Sequence, residues 1–151
     1  GRANKIIDTS RLKSSELRAE LRQDWGNEAV NMNVTILSFG YKHGIPMDTD
    51  LLMDVRFIPN PFYLPELRPL TGRDRAVQEY VYQSSESQEF IERFSGLLLF
   101  LLPNYIKEGK THMMLGIGCT GGQHRSVALA IKLGQILADA GYKVSVRHRD
   151  S

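Results

Sequence analysis

The chain has 151 residues, 42% of them hydrophobic and 24% charged, with a formal net charge of +2. A chain of that length closes one hydrophobic core without disulfides or metals, and its near-balanced charge excludes a protein held to nucleic acid by bulk charge alone. Its one cysteine, Cys119, excludes an intrachain disulfide framework and fits a reducing, cytoplasmic setting.

The opening GRANKIID (1–8) has no secretory signal pattern. It reads as an incomplete start, so the chain is expected to be a piece of a longer protein. Thr9 or Ser10 is placed to cap a helix from about 13 to 24, with Leu12, Leu17 and Leu21 on one face. NVTILSFG (33–40) is apolar and β-branched, hence a strand. YKHGIPMDTD (41–50) is a loop by its Gly, Pro and Asp content. LLMDVRFI (51–58) alternates like a strand and sets Asp54 and Arg56 on the same face. PNPFYLPELRPLTG (59–72) carries four prolines and is expected to lack regular structure.

Helices are predicted over 73–82 and 86–102, the second capped by Ser84 or Ser85. The apolar run Leu97–Leu102 is too short to cross a bilayer, so no membrane partner is expected, and Pro103 is expected to stop the helix. A strand at 111–117, a glycine loop, a helix at 124–140 with Gly141 just beyond it, and a last strand KVSVRHR at 143–149 complete the chain. This is a βαβ unit. The expected fold class is therefore α/β: a single domain with a mixed, partly parallel sheet flanked by helices.

The loop GCTGGQHRS (118–126) sits where a strand feeds a helix N-terminus, an arrangement that binds anions. Three readings compete for it. Gly116, Gly118 and Gly121 match a dinucleotide fingerprint, but Arg147, His148 and Arg149 stand where the ribose-binding acid belongs, and no second half of the sheet follows. Cys119, Arg125 and Ser126 match the C-x5-R-S loop of cysteine-dependent phosphatases, with Gly122 at the tight turn and Asp48, Asp50 or Asp54 as general acid. Gly118 departs from that pattern, which has a histidine before the cysteine. In the third reading the same groups bind a phosphorylated ligand, and Cys119 is a small buried hydrophobe.

Four strings decide among these: SFGYKHGIP (38–46), DVRFIPNP (54–61), LRPLTG (67–72) and GCTGGQHRS (118–126). In this order they resemble the C-terminal domain of the RapZ/YvcJ family, the RNase adapter proteins and their Gram-positive nucleotide-binding relatives. The resemblance runs from about residue 6 to the end. It implies a sensor and not an enzyme. Family members carry an N-terminal P-loop domain, whose Walker A pattern this chain lacks. Residues 1–151 thus read as a single C-terminal ligand- and RNA-binding domain without a cofactor, ATP or GTP being expected only for the other domain.

For the enterobacterial member the resemblance implies a fold like a phosphofructokinase subdomain, homo-oligomers, a regulatory RNA partner and the ligand glucosamine-6-phosphate. Carried over, the ligand would lie on Cys119, Thr120, Gly121, Gly122, Gln123, His124, Arg125 and Ser126. Backbone N–H groups of Thr120, Gly121 and Gly122 would meet the phosphate, and Arg125 would supply charge. Asp54, Arg56 and Arg68 are candidate neighbours, or else a structural ion pair that fixes the proline-rich loop.

Two departures qualify the carry-over. Phe62 stands where the enterobacterial protein has a histidine, and a phenyl ring cannot hydrogen-bond a sugar. The enterobacterial protein also ends in a lysine-rich tail involved in RNA binding; the sequence here stops at RHRDS, with that tail either cut away or absent. Lys42, His43, Arg147, His148 and Arg149 are the candidate RNA-binding residues, contacting phosphates more than bases. The four histidines lack metal-ligand spacing, so no metal site is expected; His112 reads as a core or edge histidine, and Trp25, Met113 and Met114 as packing.

Overall fold

The computed structural model describes residues 32–151. The helix expected over 13–24 and Trp25 lie outside the described residues. Four strands form one sheet: β1 Asn33–Gly40, β2 Leu51–Asp54, β3 His112–Cys119 and β4 Lys143–His148, in the order β2-β3-β1-β4. Every neighbouring pair is parallel, so the sheet is wholly parallel. The two inner strands, β1 and β3, are buried almost throughout, as their unbroken apolar runs require. Edge strand β4 alternates exposed and half-buried positions, the pattern of a strand covered on one face.

Three helices follow in the described chain: α1 Arg75–Tyr82, α2 Ser85–Lys107 and α3 Arg125–Asp139. Helix α3 crosses from β3 to β4 and packs on the sheet, and α2 packs on α3. The core joins Ile36 of β1, Leu115 and Ile117 of β3, Leu129, Leu133 and Leu137 of α3, and Leu98 and Leu102 of α2, all 0% exposed. Each such side chain contributes roughly 1.5–3 kcal/mol by leaving water. Ser84 caps α2 by accepting the Ser87 N–H at 3.1 Å, and Gly141, at φ 101°, turns the chain out of α3.

Two boundaries differ from expectation. Strand β2 ends at Asp54 and does not reach residue 58. The Asp54 carboxylate accepts the Arg56 N–H at 2.9 Å, which turns the chain off the ladder just past Val55. Helix α2 runs through Pro103 to Lys107 instead of stopping. Leu98 and Leu102, fully buried just before the proline, hold that turn in place. Pro103 itself lies exposed, and Asn104 Nδ2 donates to the Phe100 carbonyl at 2.8 Å. Packing thus outweighs the lost N–H.

Candidate functional site

The glycine loop leaves β3 at Cys119 and enters α3 at Arg125, at the C-terminal end of the sheet, where open α/β sheets hold ligands. Two glycines make its shape possible. Gly122 has φ 77°, a left-handed conformation that favours glycine. A Cβ on Gly40 would lie 2.4 Å from the Gly121 carbonyl carbon, so the end of β1 can touch the loop only without a side chain.

Arg125 is 4% exposed. Its Nη1 donates to the Arg56 carbonyl at 2.7 Å and the Ile58 carbonyl at 3.0 Å, tying the segment after β2 to the first turn of α3. Its Nη2 reaches Thr120 Oγ1 at 3.4 Å, and its Nε, also buried, has no acceptor. His124 is buried and meets the Arg68 carbonyl through Nε2 at 3.2 Å. The Gly72 N–H donates to the Gln123 carbonyl at 2.8 Å. The proline-rich loop is therefore stitched along the glycine loop.

A cleft of about 400 Å³ opens here, lined by Lys42, Asn60, Phe62, Tyr63, Cys119, Thr120, Gly121, Gln123, His124 and Arg125. Among the sequence-derived candidates, Cys119, Thr120, Gly121, Gln123, His124 and Arg125 thus share one wall. The Gly122 N–H donates to Cys119 Sγ at 3.3 Å, so it is turned to the thiol. The Cys119 thiol, 2% exposed, lies 3.1 Å from Ser126 Oγ, and Ser126 is 0% exposed.

Asp54 and Arg56 form an ion pair at 2.6 Å, close to the loop but outside the lining. Hydrogen bonds from Arg56 hold the Asp54 carboxyl below the usual carboxylate range. The Arg56 guanidinium lies 4.0 Å from the centre of the Tyr41 ring. Arg68 stacks on Phe62 and donates to its carbonyl at 2.7 Å, so it acts on the wall of the cleft. Asp50 is elsewhere: it accepts the Met114 N–H at 2.8 Å and pairs with Lys110 at 3.0 Å.

The candidate RNA-binding residues take different places. Lys42 lines the cleft, His43 is exposed beside it, and Arg147 is exposed on β4. His148 lies 2.7 Å from Ser38 Oγ, and burial pushes its pKa down. Arg149 donates to the Gly44 carbonyl at 2.6 Å and pairs with Asp150 at 2.8 Å. His112, expected in the core or at an edge, is exposed at the start of β3. Among the described residues no group of His, Cys, Asp and Glu is arranged to hold a metal ion, and no helix is long and apolar enough to cross a membrane.

Sequence reasoning missed Asn60 and Tyr63, and it raised Phe62 only as a departure. Their signal was available in the string PNPFY: a proline turn that ends in two adjacent aromatics.

The fold and the loop define the class: a wholly parallel α/β domain with a glycine loop and a buried arginine at one helix N-terminus. Within that class, the chain belongs to the RapZ C-terminal domain family, whose model matches residues 32–151. It is similar to a nucleotide-binding protein of Moorella thermoacetica, 55% identical over 150 residues, which are 99% of this chain and 50% of that protein. It is likewise 52% identical to a nucleotide-binding protein of Desulfitobacterium hafniense, covering 100% of this chain and 52% of that one. A nucleotide-binding protein of Heliobacterium modesticaldum is 54% identical, with 99% and 50% covered. The chain spans about half the length of the curated relatives it matches.

Proposed function

We propose that this domain is a cytoplasmic metabolite sensor. A small phosphorylated compound binds with its phosphate on the 119–126 loop, and its occupancy changes how the protein engages an RNA or protein partner. The observation that carries this reading is Arg125: a buried guanidinium lining the cleft, with an unfilled Nε donor beside the first turn of α3. A buried charge is costly, and an anion in the cleft supplies a counter-charge to a guanidinium whose hydrogen-bond partners are all neutral oxygens. The first-turn N–H groups of α3 lack intrahelical acceptors and add to the attraction. Glucosamine-6-phosphate, implied by the family resemblance, is the first compound to try, and a homo-oligomer is the form in which the sensor would act.

Binding without chemistry is supported by the groups a phosphatase would need. Cys119 is buried and hydrogen-bonded within the loop. Asp54 is held ionised by Arg56, so it has no proton to donate near neutral pH. Asp50 hydrogen-bonds to Met114, five residues before Cys119.

A ³¹P NMR time course with glucosamine-6-phosphate tests the proposal. The ester signal should broaden or shift, with no growth of inorganic phosphate, and Cys119→Ser should leave that response in place. Inorganic phosphate that appears with the native chain and vanishes with Cys119→Ser would make the domain an enzyme. No response to this or any other phosphate ester would remove the sensor reading.

A further inference from the structure

The glycine loop rests against the end of β1, and the contact is made by glycines on both sides. A Cβ on Gly122 would lie 2.5 Å from the Gly40 nitrogen, 2.8 Å from the Phe39 carbonyl carbon and 2.9 Å from Asp150 Cβ. The Gly121–Gly122 turn, the end of β1 and Asp150 therefore meet at one point. Glycines have the most conformational freedom to lose, so such a contact keeps its shape only where something else fixes the backbone.

Asp150 supplies that fixation. Strand β4 ends at His148, and the Arg149 N–H still donates to the Ser38 carbonyl of β1 at 3.0 Å. Two residues further along β1 the backbone faces the same neighbour again. There the N–H of buried Gly40 donates to the Asp150 carboxylate at 2.8 Å. A side chain thus takes over where the ladder stops. The carboxylate is itself held. Arg149 donates to its Oδ2 through Nε at 3.1 Å and Nη2 at 2.8 Å, and Nη2 also reaches the Gly44 carbonyl at 2.6 Å. The Asp150 side chain is 13% exposed, so little water competes for the Gly40 N–H. Elsewhere the loop is tied at its shoulders: the Lys42 N–H donates to the Thr120 carbonyl at 3.2 Å and the Gly72 N–H to the Gln123 carbonyl at 2.8 Å. The two glycines between those shoulders are braced from behind by Gly40.

We propose that Asp150 is a positioning residue for the phosphate site: it holds Gly40, and through Gly40 it keeps the Gly121–Gly122 turn in the shape that receives an anion. The inference rests on the phosphate-loop reading above. Asp150 does not line the cleft; it acts by ordering the loop in advance, which spares the ligand the cost of ordering it.

The thiol of Cys119 tests this without a ligand. Cys119 is the one cysteine of the chain, is 2% exposed and accepts the Gly122 N–H at Sγ, so its reaction with iodoacetamide reports opening of the turn. Loss of a hydrogen bond to a charged group shifts such an equilibrium by about 10- to 150-fold. Asp150→Ala should speed the reaction by a factor in that range, beyond what its loss of global stability in urea explains. Leu102→Ala, in the core on α2, gives the rate that global destabilisation alone produces. Asp150→Asn keeps an acceptor for the Gly40 N–H and should recover most of the loss. Calorimetric titration with glucosamine-6-phosphate and ribose-5-phosphate should follow the same order, with Asp150→Ala weakening binding by about tenfold or more. Thiol reactivity in Asp150→Ala no greater than its stability loss explains, Asp150→Asn as reactive as Asp150→Ala, or equal ester binding by Asp150→Ala and the native chain would overturn the positioning role and leave the phosphate loop standing. A native chain that binds neither ester would remove the phosphate-loop reading, and this role with it.

Discussion

Arg125→Ala separates the structural work of this residue from its proposed work on a ligand. The substitution withdraws the donor that the Arg56 and Ile58 carbonyls share, at 2.7 and 3.0 Å. Ile58 is 2% exposed, so its carbonyl finds little water and pays nearly the whole of the roughly 1–3 kcal/mol an unsatisfied buried acceptor loses. Arg56 is exposed, and its carbonyl is more readily rehydrated. The vacated volume adds a cavity term, while relief of the buried charge and its unfilled Nε offsets part of the loss. The net is a destabilisation of about 2–3 kcal/mol, which for a chain of this size lowers Tm by about 4–12 °C. Thermal unfolding followed by circular dichroism measures it. A fall equivalent to less than about 1 kcal/mol would refute the view that this side chain clamps the 56–58 segment. A saturating phosphate ester should raise Tm of the native chain, by about 2.7 kcal/mol of stability at a hundredfold excess over Kd, and leave the variant unmoved.

Gly40→Ala should distort the glycine loop, because its Cβ meets Gly121 backbone atoms at 2.4 and 2.5 Å. Overpacking against backbone lowers stability by about 1–3 kcal/mol, and a variant that melts and binds phosphate esters like the native chain would contradict the close approach. His148 should make stability sensitive to mild acid. Burial lowers its folded pKa below 6.5, so on acidification the unfolded chain takes up the proton first. Stability is then lost as pH falls from 6.5 toward the folded value. Urea midpoints at pH 7.5 and 5.5 should differ in the native chain and less so in His148→Gln; an equal difference in both would assign the slope elsewhere. Tyr82 donates to the Ala128 carbonyl at 2.6 Å, and burial pushes its phenol up to about 12. Its contribution is complete below pH 10 and disappears as pH rises toward 12. Tyr82→Phe should lower neutral stability by about 0.5–1.5 kcal/mol and remove that alkaline loss; an alkaline transition unchanged in the variant would point to another group.

The βαβ unit and its loop were legible because each signal was local. An apolar run, a glycine cluster and a 3.6-residue period lie next to one another between 111 and 140. The boundaries of β2 and α2 were not legible, since both are set by side chains that override local propensity. Asp54 turns the backbone by binding the Arg56 N–H, and the buried pair Leu98 and Leu102 carries α2 through Pro103. Arg125 stands out in the loop string, yet its two bonds to carbonyls 69 and 67 residues away are a tertiary fact with no sequence signature. The aromatic wall was missed for a related reason: a proline-rich loop shows which residues it contains but not which of them face a cleft.

The most direct test of the account is a backbone-amide NMR titration of the isotope-labelled chain with a phosphate ester. Saturable shifts should concentrate at Thr120–Ser126, with the Arg125 side-chain Nε–H signal moving as the anion's charge comes close to the guanidinium. Shifts centred instead on Arg147–Arg149, or uniform small shifts that vanish in moderate salt, would show that the anion is held by surface charge and that the glycine loop is only a turn.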